Sequence, residues 1–220
     1  LLQPGHALAS VEQLKKLGLA RGIYPLLDVV VERAEQPFVK AALQDTDRRV
    51  AEGKPVAPSF LLACVLWQDV LAGWNARLAR QEHPFPALQG AIDEVFDARV
   101  GDVSGRGKLG ADMREIWMMQ PRFEKRGGST PFSLAEQPRF RAGFDFMRLR
   151  ADVGEVSEEL ADWWQQFSQA DEGERESMVN ELRAEQQRAK RQAPRVHRVS
   201  RGTVEGAAAP APGAVEGEGA

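Results

Sequence analysis

Apolar residues recur at helical spacing along most of this 220-residue chain, and that pattern constrains the fold more than any other feature. The clearest case is APSFLLACVLWQDVLAGWNARLARQ, residues 57–81, where Trp67, Leu71 and Trp74 belong to a wide apolar face. The two-residue alternation that is typical of strands is almost absent. The sequence therefore predicts an all-α body of roughly seven helices.

The C-terminal segment differs in composition from the rest of the chain. Apolar residues thin out after Gly173, residues 183–201 are basic, and residues 202–220 consist mainly of Ala, Gly, Pro and Glu. Such a segment cannot bury enough apolar surface to offset the conformational entropy that is lost on folding. We therefore predict a disordered tail over residues 183–220.

Composition excludes several classes of protein. The single cysteine, Cys64, rules out a disulfide framework, and its apolar neighbours are typical of a core residue. The longest apolar run, residues 60–67, is far shorter than the roughly 20 residues that span a bilayer. We expect no membrane partner and a cytoplasmic location. The chain opens without methionine inside a helical pattern, which indicates a fragment of a longer protein.

Charge is arranged in blocks, although the net charge is only −3. Residues 104–150 contain ten basic and five acidic residues, and residues 151–182 contain ten acidic residues and one arginine. Residues 183–201 are basic again, with seven basic residues against one glutamate. A basic strip followed by a basic tail favours RNA as the partner, because phosphate contacts dominate nucleic-acid affinity.

The stretch PRFRAGFDFMRLRA, residues 138–151, combines a core pattern with arginines. On a helix, four apolar residues share one face: Phe140, Phe144, Met147 and Ala151. Arg141 and Arg148 fall on one flank of that face, and Arg139 and Arg150 on the other. Two interpretations stay open at this point. The arginines either cover the edges of a core helix with their stems or hold phosphate.

No catalytic or metal-binding residue can be assigned from the sequence. Asp45 and Asp47 in the DTD motif would point about 200° apart on a helix, so a shared Mg²⁺ is not expected. The three histidines have no Cys or His at ligand spacing. GRGKLG, residues 105–110, lacks the phosphate-loop pattern and the strand before it.

Several motifs, taken in order, resemble the C-terminal body of bacterial poly(A) polymerase, a class II nucleotidyltransferase. Residues 114–152, REIWMMQPRFEKRGGSTPFSLAEQPRFRAGFDFMRLRAD, are similar to that family's D-I-W-x-x-Q-x-R-[FM] helix, basic turn and P-[KR]-F-R-A-x-[YF]-D-[FL] helix. ELADWWQQF, residues 159–167, is similar to its W-W-x-x-F helix. DTDRRV at 45–50 and AIDEVFDARV at 91–100 agree in order. The resemblance is most specific in residues 115–167.

The resemblance implies a polynucleotide adenylyltransferase, which adds adenylate from ATP to RNA 3′ ends in mRNA processing and decay. Residues 1–35 would end the neck, residues 36–182 would form the arginine-rich helical body, and residues 183–220 would form the tail. The family's catalytic head binds Mg²⁺ and ATP, and nothing in this sequence matches it. We therefore expect this chain to bind neither cofactor and to be inactive alone.

The expected partner is RNA, through its single-stranded 3′ ends, with other RNA-decay proteins as further candidates. The basic turn EKRGGST has fewer basic residues than its counterpart in relatives. The predicted phosphate contacts in the body are Lys125, Arg126, Arg139, Arg141, Arg148 and Arg150. The predicted sequence-independent tether in the tail consists of Arg188, Lys190, Arg191, Arg195, Arg198 and Arg201.

Two alternatives to this function remain open. CCA-adding tRNA nucleotidyltransferases share the head and a helical body, but their bodies usually lack the arginine-rich W-W region. The other alternative is a helical scaffold without enzymatic activity that binds a protein partner. In that case the acidic block at 151–182 would dock a basic partner or pack against the basic strip in cis.

Overall fold

The computed structural model describes residues 6–17 and 25–192. These residues form helices and turns without any strand, which confirms the all-α prediction. The described part contains ten α-helices, more than the roughly seven that the sequence predicted, together with a 3₁₀ turn at Val100–Asp102. The helices are α1 Ala7–Leu17, α2 Pro25–Arg33, α3 Pro37–Ala51, α4 Pro58–Ala79, α5 Pro84–Ala98, α6 Gly107–Phe123, α7 Thr130–Ala135, α8 Phe140–Asp152, α9 Glu158–Gln169 and α10 Glu172–Gln192.

The helices begin where the sequence supplies start signals. Pro37, Pro58 and Pro84 open α3, α4 and α5, where the missing N–H of proline costs nothing because the first helical N–H groups have no partner within the helix. Ser157 precedes α9, and its side chain accepts a hydrogen bond from the backbone N–H of Leu160 at 3.2 Å. These signals fix the helix boundaries locally.

The buried side chains form two clusters, and the larger one surrounds α4. This helix packs against α3, α5 and α6, and apolar residues on most of its circumference are buried. Ala7 and Val11 of α1 and Val30 of α2 belong to the same cluster. The domain boundary predicted at residue 35 stays a prediction.

Helix α8 contributes to both clusters. Its predicted stripe is buried and belongs to the smaller cluster: Phe140, Phe144, Met147 and Ala151. The opposite side of α8 places Phe146 and Leu149 in the larger cluster. The ring of Phe146 lies 5.1 Å from that of Phe38 and 5.2 Å from that of Trp67, measured between centroids. The helix that carries Arg141, Arg148 and Arg150 is therefore a central one.

The smaller cluster is built around Trp164 of α9. Its ring meets Phe123 edge-on at 5.1 Å, and its indole N–H donates to the backbone carbonyl of Phe123 at 2.7 Å. The adjacent Trp163 is half-buried and stacks on Phe167 at 5.0 Å. Trp164 is therefore a core residue, while Trp163 lies at the edge of the cluster.

Helix α10 corrects one part of the sequence prediction. Residues 183–192 continue this helix, so the disordered tail predicted from residue 183 is wrong for that segment. The helix is stabilised at its start by a reciprocal cap, in which the Glu174 N–H donates to the Asp171 side chain and the Asp171 N–H donates to the Glu174 side chain. Acidic residues in its first turn and basic residues in its last turn also match the helix dipole. The rest of the predicted tail, residues 193–220, lies outside the described residues.

Cys64 is completely buried in α4, which confirms its assignment to the core. Burial raises the pKa of its thiol well above the usual value, so the thiol stays protonated. None of the described helices has the length and apolar character needed to cross a membrane.

Candidate nucleic-acid interface

The predicted basic strip does not form a single surface. Arg141 and Arg148 line a polar cleft between α3, α8 and α9. Arg139 lines a groove on α6, and Lys125 and Arg150 line a more apolar cleft between α4, α5 and α6. Arg141 and Arg148 lie on a different flank of α8 from Arg150, as the sequence predicted, whereas Arg139 precedes the helix and does not share a surface with Arg150.

Arg150 is held inside the protein. Its side chain is 8% exposed, its Nε donates to Glu155 Oε2 at 3.1 Å, and its Nη1 donates to Gln120 Oε1 at 3.3 Å. The guanidinium also lies over the Trp67 ring, 5.1 Å from its centroid. Burial lowers the pKa of Arg150 from its usual value, although Glu155 opposes that effect. These contacts favour a structural role for this residue.

The polar cleft has a volume of about 350 Å³, and four arginines line it. Arg141 and Arg148 come from α8, and Arg48 and Arg49 come from α3. Arg141 is 74% exposed and Arg148 is 34% exposed, so solvent reaches both guanidinium groups. Guanidinium groups bind phosphate oxygens through paired hydrogen bonds, and four of them around one concave surface suit a phosphate group.

Three carboxylates share this cleft with the arginines: Asp45, Asp145 and Asp152. Asp145 is paired with Arg49 at 2.9 Å and with Arg141 at 3.2 Å. Burial nevertheless raises the pKa of Asp145, because desolvation outweighs the attraction of the two arginines. Burial also raises the pKa of Asp152. The cleft thus contains four cations against three carboxyl groups, of which Asp145 is buried and Asp152 is exposed.

Arg139 lies in a groove of about 440 Å³ that also contains Phe85 and Arg122. The guanidinium of Arg139 is paired with Asp112 at 2.5 Å and with Glu115 at 3.6 Å. The guanidinium of Arg122 has no hydrogen bond or ion pair with any residue that the structure describes. A phosphate in this groove would therefore meet Arg122 as an uncompensated cation.

Lys125 and Arg126 follow the C-terminal end of α6, and each lies over an aromatic ring. The Lys125 ammonium is 5.0 Å from the centroid of Phe85, and the Arg126 guanidinium is 5.7 Å from that of Trp163. Arg126 is also paired with Glu159 at 3.5 Å, whereas Lys125 has no ion pair within the described residues. Lys125 lines the cleft between α4, α5 and α6, whose volume is about 640 Å³.

The acidic block packs against the basic strip in cis at several points. Arg148 is paired with Asp162 at 2.8 Å, and it also donates to Gln165 at 2.7 Å. Arg126 and Arg150 are the other residues of the strip with partners in this block, Glu159 and Glu155. The acidic block therefore neutralises part of the positive charge that was predicted to bind RNA.

The predicted tail residues divide between two parts of the chain. Arg188, Lys190 and Arg191 are exposed near the end of α10. Arg195, Arg198 and Arg201 lie outside the described residues.

The described residues contain no set of three or more His, Cys, Asp or Glu side chains placed to hold a metal ion. Asp45 accepts hydrogen bonds from Arg48 and Arg49, and Asp47 accepts one from the backbone N–H of Ala7. Both carboxylates of the DTD motif therefore already have hydrogen-bond donors of this chain as partners.

Comparison with known proteins agrees with the arginine-rich character of these helices. A family profile described as the arginine-rich C-terminus of polymerase A matches residues 80–198, which is more than half of the chain. The chain belongs to the poly(A) polymerase family. It is 31% identical over 191 residues to poly(A) polymerase I of Haemophilus influenzae, and the match covers 82% of this chain and 41% of that protein. It is 30% identical over 210 residues to the Salmonella typhi poly(A) polymerase I, covering 89% of this chain and 45% of that protein. The chain thus spans less than half the length of these relatives, and the match corresponds to their C-terminal region.

The family profile includes all six body residues predicted to bind RNA, but it begins after Arg48 and Arg49. The sequence analysis did not predict these two arginines, because it considered the DTD motif only as a possible Mg²⁺ site. The available signal was their position three and four residues after Asp45, which predicts ion pairs that orient the guanidinium groups. Their approach to α8 depends on tertiary packing. Phe85 was also missed, because it lies at helical spacing from the buried Leu88 and Ile92.

Proposed function

We propose that this chain is the RNA-binding C-terminal portion of a polynucleotide adenylyltransferase that extends RNA 3′ ends with adenylate from ATP. The polar cleft is the observation that supports it best. Arg48, Arg49, Arg141 and Arg148 converge there from two helices, and family membership supplies the reaction in which RNA would be held. In this proposal Mg²⁺ and ATP bind in a nucleotidyltransferase head outside these 220 residues, and this chain alone does not adenylate RNA.

The residues proposed to contact phosphate are those with accessible cationic groups. They are Arg48, Arg141 and Arg148 in the polar cleft, Arg122, Lys125, Arg126 and Arg139 along α6, and Arg188, Lys190 and Arg191 on α10. Arg195, Arg198 and Arg201 remain proposed as a tether. Arg150 is left out because Glu155 and Gln120 hold it in the interior.

The proposal is tested by fluorescence anisotropy of this chain with a short labelled RNA at low and moderate salt. We expect affinity to fall steeply with salt, because each phosphate contact on a single strand contributes about −0.7 to the logarithmic slope. Replacing Arg141 and Arg148 by alanine should weaken binding and reduce the magnitude of the slope by about 1.4.

Arg114→Ala is the matched control for Arg148→Ala. Both arginines are 34% exposed, and each is paired with one exposed aspartate, but Arg114 lines none of the three clefts described above. The proposal predicts that only the change at Arg148 weakens RNA binding. Equal effects of the two variants, or a binding constant that does not change with salt, would contradict it.

The choice between poly(A) and CCA addition requires the full-length protein. Both relatives described above are named poly(A) polymerase I, which supports adenylate addition. RNA incubated with that protein and ATP alone should acquire long adenylate tails. Extension that stops after a few nucleotides and requires CTP would instead support tRNA maturation.

A further inference from the structure

Phe85 is unusual among the ten phenylalanines of this chain. The other nine lie within ring-to-ring distance of another aromatic side chain, whereas Phe85 has no such neighbour among the described residues. It is half-buried in the first turn of α5, and it lines both the cleft between α4, α5 and α6 and the adjoining groove on α6. An aromatic ring is thus presented where two concave surfaces meet.

The cleft beside Phe85 has an apolar floor and a well-fixed wall. Leu71, Trp74 and Leu78 of α4 line it, and the Trp74 indole N–H donates to the carbonyl of Pro84 at 3.1 Å. That bond fixes the start of α5, and therefore the position of Phe85, against α4. The buried pair of Arg150 and Glu155 lines the same cleft. The cleft has a volume of about 640 Å³, which lies in the range of small-ligand sites.

The edge of this surface carries cations without acidic partners. Lys125 lies over the Phe85 ring, and Arg122 lies in the adjoining groove. Neither has an ion pair with a described residue. An aromatic ring with unpaired cations beside it is the arrangement by which proteins hold single-stranded nucleic acid, since the base stacks and the cations meet the phosphates.

We propose that the cleft beside Phe85 receives an unpaired base of the RNA, which stacks on the Phe85 ring while Lys125 and Arg122 contact the adjoining phosphates. This inference rests on the proposed RNA-binding function and deepens it. The body would bind RNA by base stacking as well as by charge, and it would select single strands because a paired base cannot enter the cleft.

The contact between Lys125 and Phe85 does not prevent stacking. An exposed cation–π contact changes an equilibrium constant by roughly 2- to 5-fold, whereas a stacked base contributes roughly 5- to 150-fold. The Lys125 ammonium that leaves the ring can bind a phosphate. Replacing the cation–π contact by a stacked base is therefore favourable for the ring and for the ammonium. A peptide similar to the uncharged residues 207–215 would use the apolar floor but would leave both cations without a partner.

The test compares two oligonucleotides of equal length and charge, an ordinary single-stranded RNA and one whose sugars lack bases. The intact chain should bind the ordinary RNA more tightly, by roughly 5-fold or more if one base stacks. Phe85→Leu keeps an apolar side chain but removes the aromatic face. We expect it to lose that preference and to bind the abasic strand as the unaltered chain does.

Two charge variants separate stacking from phosphate contact. Lys125→Ala should weaken binding of both oligonucleotides. Glu124→Gln should strengthen both, because Glu124 lines the cleft and its carboxylate has no ion pair in the described chain. An RNA containing 2-aminopurine provides a direct readout, since stacking on Phe85 should quench its fluorescence in the unaltered chain and less in Phe85→Leu.

The outcomes distinguish this inference from the function on which it rests. Salt-dependent binding of the ordinary RNA, without preference over the abasic strand and without an effect of Phe85→Leu, overturns the stacking site and leaves the proposed function standing. Failure to bind either oligonucleotide overturns both. Binding of a peptide with the sequence of residues 207–215 that depends on Phe85, with no base preference, would assign the cleft to a peptide. If Phe85→Leu does not fold, absence of a base preference in the unaltered chain still overturns the stacking site, and quenching of 2-aminopurine in Lys125→Ala compared with the unaltered chain tests whether the stacked base lies beside Phe85.

Discussion

Arginines in one basic strip differ widely in what surrounds them. Arg141 is mostly in solvent, where an ion pair contributes little to stability, about 0–1 kcal/mol. Arg150 is inside the protein, and its partner Glu155 also accepts hydrogen bonds from Trp67 and Gln68. Removal of Arg150 would leave Glu155, which is itself mostly buried, without its counter-charge. Arg150 therefore belongs to the core, whereas Arg141 is accessible to a phosphate.

Arg150→Ala should lower the free energy of unfolding by about 3–5 kcal/mol, because it breaks a buried ion pair from one side. Arg141→Ala should lower it by less than about 1 kcal/mol. Urea unfolding of both variants measures the difference. Adding Glu155→Gln to Arg150→Ala should recover part of the loss, since it removes the unpaired charge. Equal and small effects of the two arginine changes would contradict the structural role of Arg150.

Asp145 gives a pH dependence of opposite sign to that of a typical salt-bridged aspartate. Burial raises its pKa above 3.8, so the folded protein binds this proton more tightly than the unfolded chain does. The resulting stabilisation is fully present below pH 3.8 and is lost as the pH rises through the folded-state pKa. Relative to Asp145→Asn, the unaltered chain should gain stability as the pH falls from neutrality toward about 4.

The check is a series of urea unfolding curves for the unaltered chain and Asp145→Asn across that pH range. Asp93→Asn serves as the control, because Asp93 is an exposed aspartate paired with one arginine. If the stability difference between the unaltered chain and Asp145→Asn stayed constant with pH, burial would not raise the pKa of the Asp145 carboxyl group.

At the scale of single helices, α9 links the smaller core to the polar cleft. Trp164 and Phe167 are buried on one side, while Asp162 and Gln165 hold Arg148 on the other. The start of this helix depends on Ser157, whose hydroxyl oxygen accepts the N–H of Leu160. A substitution of Ser157 therefore tests how much this cap contributes to the free energy of unfolding.

Ser157→Ala should lower the free energy of unfolding by about 0.5–2 kcal/mol, because an N–H of the first turn loses its acceptor. Ser129→Ala is the matched control, since Ser129 occupies the same position before α7 but its side chain makes no capping hydrogen bond. Thermal melting of the two variants separates them. If Ser129→Ala were as destabilising as Ser157→Ala, the cap would not be the cause.

Across the whole molecule, acidic residues are paired with several of the arginines proposed to contact RNA, and they would compete with it for those arginines. The pair of Arg148 with Asp162 joins α8 to α9 across the rim of the polar cleft. The pair of Arg114 with Asp93 joins α6 to α5 and has similar exposure, but it lies in none of the three clefts. The acidic block thus lowers the positive charge that Arg148 contributes to the cleft.

Asp162→Asn should strengthen RNA binding by about 1.5- to 5-fold, the equivalent of releasing one exposed ion pair. Asp93→Asn removes the same charge from the protein and should leave RNA affinity nearly unchanged. Anisotropy titrations of both variants at low salt make the comparison. An equal gain in both would indicate a general charge effect rather than release of Arg148.

Much of the fold follows from local sequence chemistry. The helical spacing of apolar residues, the prolines at helix starts and the charged surface positions act within a few residues, and they predicted an all-α body and the buried face of α8. They failed at residues 183–192, where few apolar residues suggested disorder but the cap at Asp171 and Glu174 supports a helix. Hydrophobicity alone does not report such backbone hydrogen bonds.

The sequence by itself determined that arginines would lie on both flanks of α8, because helical geometry fixes their directions. It also established the resemblance to poly(A) polymerase, since that depends on local motifs. Only the tertiary structure decided that Arg150 is buried, that Arg48 and Arg49 join Arg141 and Arg148, and that Phe85 remains half-exposed. Each of these depends on how residues far apart in the chain pack together, and packing sets the solvation and partners of every charge.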